Sequence, residues 1–137
     1  MSYAVCGLEI EEFKRSFCYG LKDKLLHYSA MLAVHNQYIP EDADELSDYY
    51  ISAVICPEKV LQKFPRTRFF TCMRDPLNDD QVKLAYRMHL AKVDVRINLF
   101  RHLEHGILTI YPKDFLPGKI FQDMVLKEVE LAVKMPG

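Results

Sequence analysis

An acidic residue and a histidine stand just after two predicted strands. Asp75 follows the aromatic, β-favouring residues 68–73, and His105 follows residues 93–100, in which apolar and polar side chains alternate. A carboxylate beside an imidazole can fix the imidazole tautomer and stabilise its protonated form, as a general base in acyl transfer requires. Taken singly, an Asp-Pro turn or a His-Gly loop end is an ordinary way to leave a strand. The chemistry therefore depends on whether the two side chains meet.

The segment between the two candidates predicts that they do. Residues 79–91 have the spacing of an amphipathic helix, with a variant capping box formed by Asn78 and Gln81 and an apolar stripe of Val82, Leu84, Ala85, Met88 and Ala91. A strand, a helix and a second strand in one sheet make the strands parallel, with both carboxyl ends at one edge. We expect a carboxylate oxygen of Asp75 at about 2.6 to 3.2 Å from His105 Nδ1. The other ring nitrogen should face an open cavity, and His102 should point away.

The residues around both candidates resemble the end of the catalytic domain in the hormone-sensitive lipase family. The resemblance lies in Asp75-Pro76-Leu77-Asn78-Asp79-Asp80 and Leu103-Glu104-His105-Gly106, and it extends upstream through residues 47–52 and 57–61. It implies the C-terminal part of an α/β-hydrolase fold, with parallel strands and crossover helices. It also implies that Asp75 is the triad acid, that His105 is the general base, and that the parent hydrolyses carboxylic esters such as acylglycerols or sterol esters. No metal or organic cofactor is expected.

The sequence motif that carries the serine nucleophile of that family is absent from this chain. The glycines are Gly7, Gly20, Gly106, Gly118 and Gly137, so none of the serines lies in a Gly-x-Ser-x-Gly turn, and a His-Gly-Gly-Gly type segment for the oxyanion is missing too. We expect the serine and the N-terminal half of the sheet to lie outside this chain, which alone would then be inactive. The alternative is a non-catalytic short product that acts as an interaction or regulatory protein.

The whole chain is predicted to be a single partial domain, 1–137. Residues 1–45 form a helical segment and an acidic loop, and residues 46–137 form the C-terminal hydrolase segment. The first part has helical spacing, with Gly20 as a candidate break, at Ile10, Phe13, Phe17, Leu21, Leu25 and Tyr28. Residues 38–50 read as loop and residues 57–63 as a short helix. A last helix is predicted from about Lys119, with a stripe of Phe121, Val125, Val129 and Ala132.

Composition indicates a packed globular protein. Half of the 137 residues are hydrophobic, and 18 basic residues nearly balance 19 acidic ones, which argues against disorder and against nucleic-acid binding. The four cysteines form no Cys-x-x-Cys pair and are read as reduced thiols. These features predict a cytoplasmic protein. The resemblance implies that its partners are a lipid or small ester substrate and either the missing N-terminal half or a second copy. Peripheral contact with a lipid droplet or membrane surface is a further expectation.

Several polar residues receive a structural interpretation. His27, His35 and His89 are predicted to be structural and His102 to lie at the surface, rather than to form a metal site with His105. The triplet Lys14-Arg15-Ser16 loosely suits a basophilic kinase, but an exposed polar face of the first helix is the favoured interpretation.

Overall fold

The computed structural model describes Cys6 and residues 14–44, 46–107 and 114–134. Its elements in chain order are α1 (Phe17–Gly20), α2 (Tyr28–Tyr38), a 3-10 turn (Ala53–Ile55), α3 (Glu58–Leu61), β1 (Thr67–Cys72), α4 (Asn78–Leu90), β2 (Val95–Phe100) and α5 (Leu116–Lys134). The predicted order of strand, helix and strand is confirmed. The short helix before β1 is also present, although it ends at Leu61 and not at residue 63.

The two strands are parallel and in register from Thr67 opposite Val95 to Cys72 opposite Phe100. Hydrogen bonds just beyond the ends of the ladder extend the pairing: Thr67 N–H donates to Asp94 O at 2.9 Å, and Met73 N–H donates to Phe100 O at 3.0 Å. Since parallel strands end on the same side, the loops that follow β1 and β2 leave from one edge of the sheet. The predicted α/β architecture, with two parallel strands that end at the same edge of the sheet, is therefore confirmed.

Helix α4 packs one face against β1. The buried positions are Gln81, Leu84, Ala85 and Met88, spaced three, one and three residues apart, which marks a single helical face. Leu84, Ala85 and Met88 belong to a core cluster with Phe69 of β1 and with Cys6, Cys56, Leu61, Ala91 and Val93. Val82 is 38% exposed, so its place in the predicted stripe was wrong. It lies one residue, or about 100°, around the helix from the buried Gln81.

The predicted capping box of α4 is also wrong. Leu77 occupies the N-cap position without a side-chain hydrogen bond, and Asn78 is already the first helical residue. The Gln81 side chain turns towards the sheet instead, where its Oε1 accepts a hydrogen bond of 2.7 Å from Thr71 Oγ1. Both side chains are buried, so this contact ties the helix to β1 and satisfies two polar groups that would otherwise be costly to bury.

The N-terminal helical segment differs from its prediction. Helix α1 ends at Gly20, as the glycine suggested, but Leu21 and Leu25 are 62% and 48% exposed and do not continue a buried stripe. Asp23 explains the interruption, because its Oδ1 accepts from the N–H groups of Leu25 and Leu26 at 2.8 and 2.7 Å and forms a local turn. A second helix was an expected result of a break at Gly20, but α2 begins only at Tyr28, where the predicted stripe ended, and runs to Tyr38. Ile10 and Phe13 lie outside the described residues.

Helix α5 begins at Leu116, three residues before the predicted start, and covers the other face of the sheet. Phe121 is fully buried, with its ring centroid 6.0 Å from that of Phe70 and 4.5 Å from that of Phe100. Farther along the predicted stripe, Val129 is exposed and borders an open groove of about 240 Å³ beside Phe70. Within the described ranges, no helix is long and apolar enough to cross a membrane.

The two faces of α4 predict different responses to truncation. Replacing Leu84, which is fully buried, with alanine should lower the free energy of unfolding by about 2 to 5 kcal/mol, because it leaves a cavity against Phe69. The matched change Val82→Ala should alter it by less than about 0.5 kcal/mol. Urea denaturation of both variants measures the difference. A Val82 variant as unstable as the Leu84 variant would restore the stripe predicted from sequence.

Candidate active site

Asp75 lies in a tight loop between β1 and α4, and it is 1% exposed. Its N–H donates to Cys72 O at 3.1 Å, and its carbonyl oxygen accepts from Asn78 N–H at 3.0 Å. Its side chain also folds back on the loop, since Oδ1 accepts a hydrogen bond of 2.8 Å from Leu77 N–H. This is a turn of the kind that aspartate commonly stabilises. It fixes the carboxylate plane and leaves Oδ2 for a partner outside the loop.

His105 lies in the loop that follows β2. That loop is tied to the β1 loop by the backbone, because Arg74 N–H donates to Leu103 O at 3.2 Å, and Leu103 is itself buried in the core beneath α5. Gly106 has φ 77°, a left-handed conformation in which a side chain would be strained. The glycine after the histidine therefore lets the chain turn sharply as soon as the imidazole has been presented.

The two predicted residues meet. His105 Nδ1 lies 3.0 Å from Asp75 Oδ2, and their side chains are 16% and 2% exposed. Because carboxylate oxygens accept hydrogen bonds, the Nδ1–H of the imidazole donates, and the ring is held in the tautomer that leaves Nε2 without a proton. The predicted distance is thus confirmed. The catalytic role of the pair and the open cavity at Nε2 stay predictions.

The remaining histidines are not part of this contact. His102 is exposed, as predicted. His27 has a structural role as the N-cap of α2, where its Nδ1 accepts from Ser29 N–H at 3.3 Å. In the part of the chain that the structure describes, no three histidine, cysteine or acidic side chains come together as metal ligands.

Two buried residues at the site were predicted to be exposed. Lys14 and Ser16 are 8% and 2% exposed. Ser16 contacts the loop that carries Asp75, and Lys14 contacts the first turn of α4. Ser16 Oγ donates to Pro76 O at 2.7 Å, and Lys14 Nζ lies 2.7 Å from Asp80 Oδ2. The exposed polar face was therefore a wrong interpretation, and the Ser16 hydroxyl is not available to a kinase in this conformation. These contacts span sixty or more positions, so local spacing gave no signal for them.

Cys72, the last residue of β1, is the cysteine nearest in sequence to the pair. Burial raises the pKa of its thiol to about 12, and the negative charge of Asp75 acts in the same direction. The group is therefore a neutral thiol at physiological pH, whereas a cysteine nucleophile must be a thiolate. Cys72 serves the core with Phe70 and Phe121 and not the chemistry.

A cavity of about 420 Å³ is lined by residues from the loops that follow β1 and β2. Arg74 and Glu104, which directly precede Asp75 and His105, line it together with Cys18, Tyr19, Lys22 and Asp23. Its wall thus combines residues of both active-site loops with residues from α1 and the turn after it. A space of this size holds a small molecule or one end of a larger one.

The amino-acid sequence is similar to those of known ester hydrolases. The segment is 33% identical over 90 residues to neutral cholesterol ester hydrolase 1 of Bos taurus, a match that covers 64% of this chain and 22% of that protein. It is 31% identical over 61 residues to human hormone-sensitive lipase, covering 44% of this chain and 6% of the lipase. The resemblance found in the sequence is therefore confirmed. The chain spans about a fifth of the length of the neutral cholesterol ester hydrolases.

The fold has close counterparts among solved structures. An esterase of the fungus Rhizomucor miehei superposes with a TM-score of 0.81 at 22% identity, covering 98% of this chain and 42% of that one. A family profile described as the alpha/beta hydrolase fold matches residues 2–109, which is most of the chain. The chain therefore belongs to the α/β-hydrolase fold family.

Proposed function

We propose that this chain supplies the acid and the histidine of a Ser-His-Asp triad in a carboxylic-ester hydrolase. The observation that carries the proposal is the hydrogen bond of 3.0 Å between His105 Nδ1 and Asp75 Oδ2 at the carboxyl edge of two parallel strands. In α/β-hydrolases the acid and the histidine follow the serine along the chain, in the order in which they occur here. The ester-hydrolase relatives support the same reaction class.

The proposed reaction uses each atom of the pair. A serine hydroxyl attacks the ester carbonyl carbon while His105 Nε2 takes its proton, and the resulting imidazolium is stabilised by Asp75. The proton then passes from Nε2 to the departing alkoxide, which leaves as the alcohol and gives an acyl-enzyme. Water attacks the acyl group with the same help from Nε2, and the carboxylic acid departs. Asp75 stays ionised throughout and keeps Nδ1 protonated.

We infer the serine to come from outside these 137 residues, since no serine of the chain stands in a Gly-x-Ser-x-Gly turn. Acylglycerols or sterol esters are the proposed substrates, in line with the names of the relatives. A cytoplasmic protein that touches a lipid surface peripherally would suit such substrates. The cavity at Arg74 and Glu104, which four charged side chains line, would then take a polar part of the substrate.

A parallel strand from the rest of a hydrolase domain is the proposed partner of β1. Thr67 N–H and Met73 N–H point to β2, so the alternation of a parallel ladder turns the N–H groups of Phe70 and Cys72 to the opposite edge. Phe70 and Cys72 are 4% and 1% exposed, yet the sheet of the described residues ends there. A buried sheet edge normally pairs with another strand. The same edge would serve the alternative, a non-catalytic interaction protein.

The triad proposal is tested most simply in a chimaera. The matched 90-residue segment of bovine neutral cholesterol ester hydrolase 1 is replaced by that of this chain, and hydrolysis of a p-nitrophenyl ester is measured. Asp75→Asn should lower kcat/KM on the order of 10⁴-fold, because the imidazole loses the partner that sets its tautomer. His102→Ala, a change at an exposed histidine three residues from His105, should leave it within about twofold. Equal effects of the two changes would contradict the assignment.

The chain alone should not hydrolyse esters. Without an activated serine, incubation with p-nitrophenyl acetate should give no turnover that depends on His105, and a fluorophosphonate probe should leave the chain unlabelled. The chimaera described above is the positive control for the probe. Stoichiometric labelling of a serine within residues 1–137 would contradict the inference that the nucleophile lies elsewhere.

Hydrogen exchange tests the proposed strand partner. In the 137-residue chain, the backbone amides of Phe69 and Thr71, which face β2, should exchange slowly, and those of Phe70 and Cys72 should exchange faster. Adding the remaining part of the bovine hydrolase should slow exchange at Phe70 and Cys72 and leave Ile97, which faces the outer edge of β2, unchanged. Slower exchange at the Ile97 amide instead would mean that the partner pairs with β2, which would contradict the proposal. Protection that rises with the concentration of this chain alone would favour a second copy.

A further inference from the structure

We propose that Lys14 and Ser16 are positioning residues, which hold the loop between β1 and α4 so that Asp75 meets His105. The inference rests on the proposed function, since it gives these residues a part in assembling the same pair. Both residues precede residues 47–106, where the sequence resembles the lipase family, although the matched family profile includes them. Both contact residues 76–80 from sixty or more positions upstream.

Ser16 holds the backbone directly after the acid. Its hydroxyl donates to the carbonyl oxygen of Pro76 at 2.7 Å, and its own N–H donates to Asp79 Oδ2 at 2.9 Å. With 2% of its surface exposed, Ser16 makes these bonds away from competing water. One residue thus fixes both the peptide that follows Asp75 and a side chain in the first turn of α4.

Lys14 holds the start of α4. Its Nζ lies 2.7 Å from Asp80 Oδ2, and the two side chains are only 8% and 4% exposed. A carboxylate this deeply buried needs a charged or hydrogen-bonding partner, and Lys14 supplies one. The same ammonium group lies 5.3 Å from the centre of the Phe17 ring, which links the contact to α1. The position of Asp80 is therefore coupled to the segment that precedes α1.

Helix α1 also packs against the loop through van der Waals contact. A Cβ placed on Gly20 would lie 3.4 Å from Pro76 Cγ, so the end of α1 packs closely against the proline ring. Asp75 Oδ1 is engaged within the loop by Leu77 N–H, and the direction of Oδ2 consequently follows the loop backbone. Ser16 and Gly20 contact Pro76 of that loop, Lys14 contacts Asp80 in the first turn of α4, and the Nδ1–H of His105 donates to Oδ2. Removing the contacts of Ser16 and Lys14 should therefore loosen the contact between Asp75 and His105.

The tautomer of His105 reports this coupling without any measurement of activity. In the chain labelled with ¹⁵N-histidine, His105 should show the Nδ1–H form that the Asp75 contact requires, and His27, whose Nδ1 accepts from Ser29, should show the Nε2–H form. Ser16→Ala and Lys14→Met should convert a large fraction of His105 to the Nε2–H form. Ser16→Thr, which keeps the hydroxyl, should restore the original form. His27 should not change.

Two control variants separate positioning from general stability. Leu84→Ala weakens the core without touching the loop, and Lys22→Met removes an exposed lysine; both should keep the Nδ1–H form of His105. If Lys14→Met does not fold, Lys14→Met/Asp80→Leu removes both charges and should fold with the tautomer still altered.

The inference is overturned by either of two results. One is an unchanged His105 tautomer in folded Ser16→Ala and Lys14→Met; the other is an equal loss in Leu84→Ala. Neither result bears on hydrolysis by the chimaera, where dependence on Asp75 tests the proposed function separately.

Discussion

Parallel pairing of β1 with β2 is the constraint on which the rest of the site depends. It brings the ends of both strands to one edge, so the loops that carry Asp75 and His105 start as neighbours. Helix α4 makes that pairing possible by crossing back over the sheet, and Leu84 and Met88 bury its inner face against Phe69. The 3.0 Å contact between acid and imidazole then needs only the correct shape of two short loops.

The first of those loops and the first turn of α4 concentrate negative charge, with Asp75 and Asp80 buried and Asp79 partly buried. Asp75, Asp79 and Asp80 fall within six residues, and each has a specific partner: His105, the Ser16 backbone and Lys14. An unpaired buried carboxylate is costly, which makes these partners a condition for the loop to exist in this form. The segment before α1 is thus a structural requirement of the proposed site and not an appendage to it.

The contact between Asp75 and His105 could be predicted from the sequence because the signals for it were local. Alternation in β2, helical spacing in α4 and the order of acid and histidine needed no knowledge of distant residues. The errors came where a distant or competing contact decided the outcome. Gln81 bonds to Thr71 and not to a helix end, Asp23 turns the chain before Leu25, and Lys14 is drawn into a buried ion pair. Spacing along the chain contains no information on such contacts.

The central claim is that Asp75 and His105 act as one unit. The most direct measurement is kcat/KM of the chimaera that carries Asp75→Asn, His105→Ala or both changes. If the carboxylate works only through the imidazole, the double variant should be no slower than His105→Ala alone, as is found for residues that act together. Effects that multiply in the double variant would contradict the account, because Asp75 would then act independently of His105.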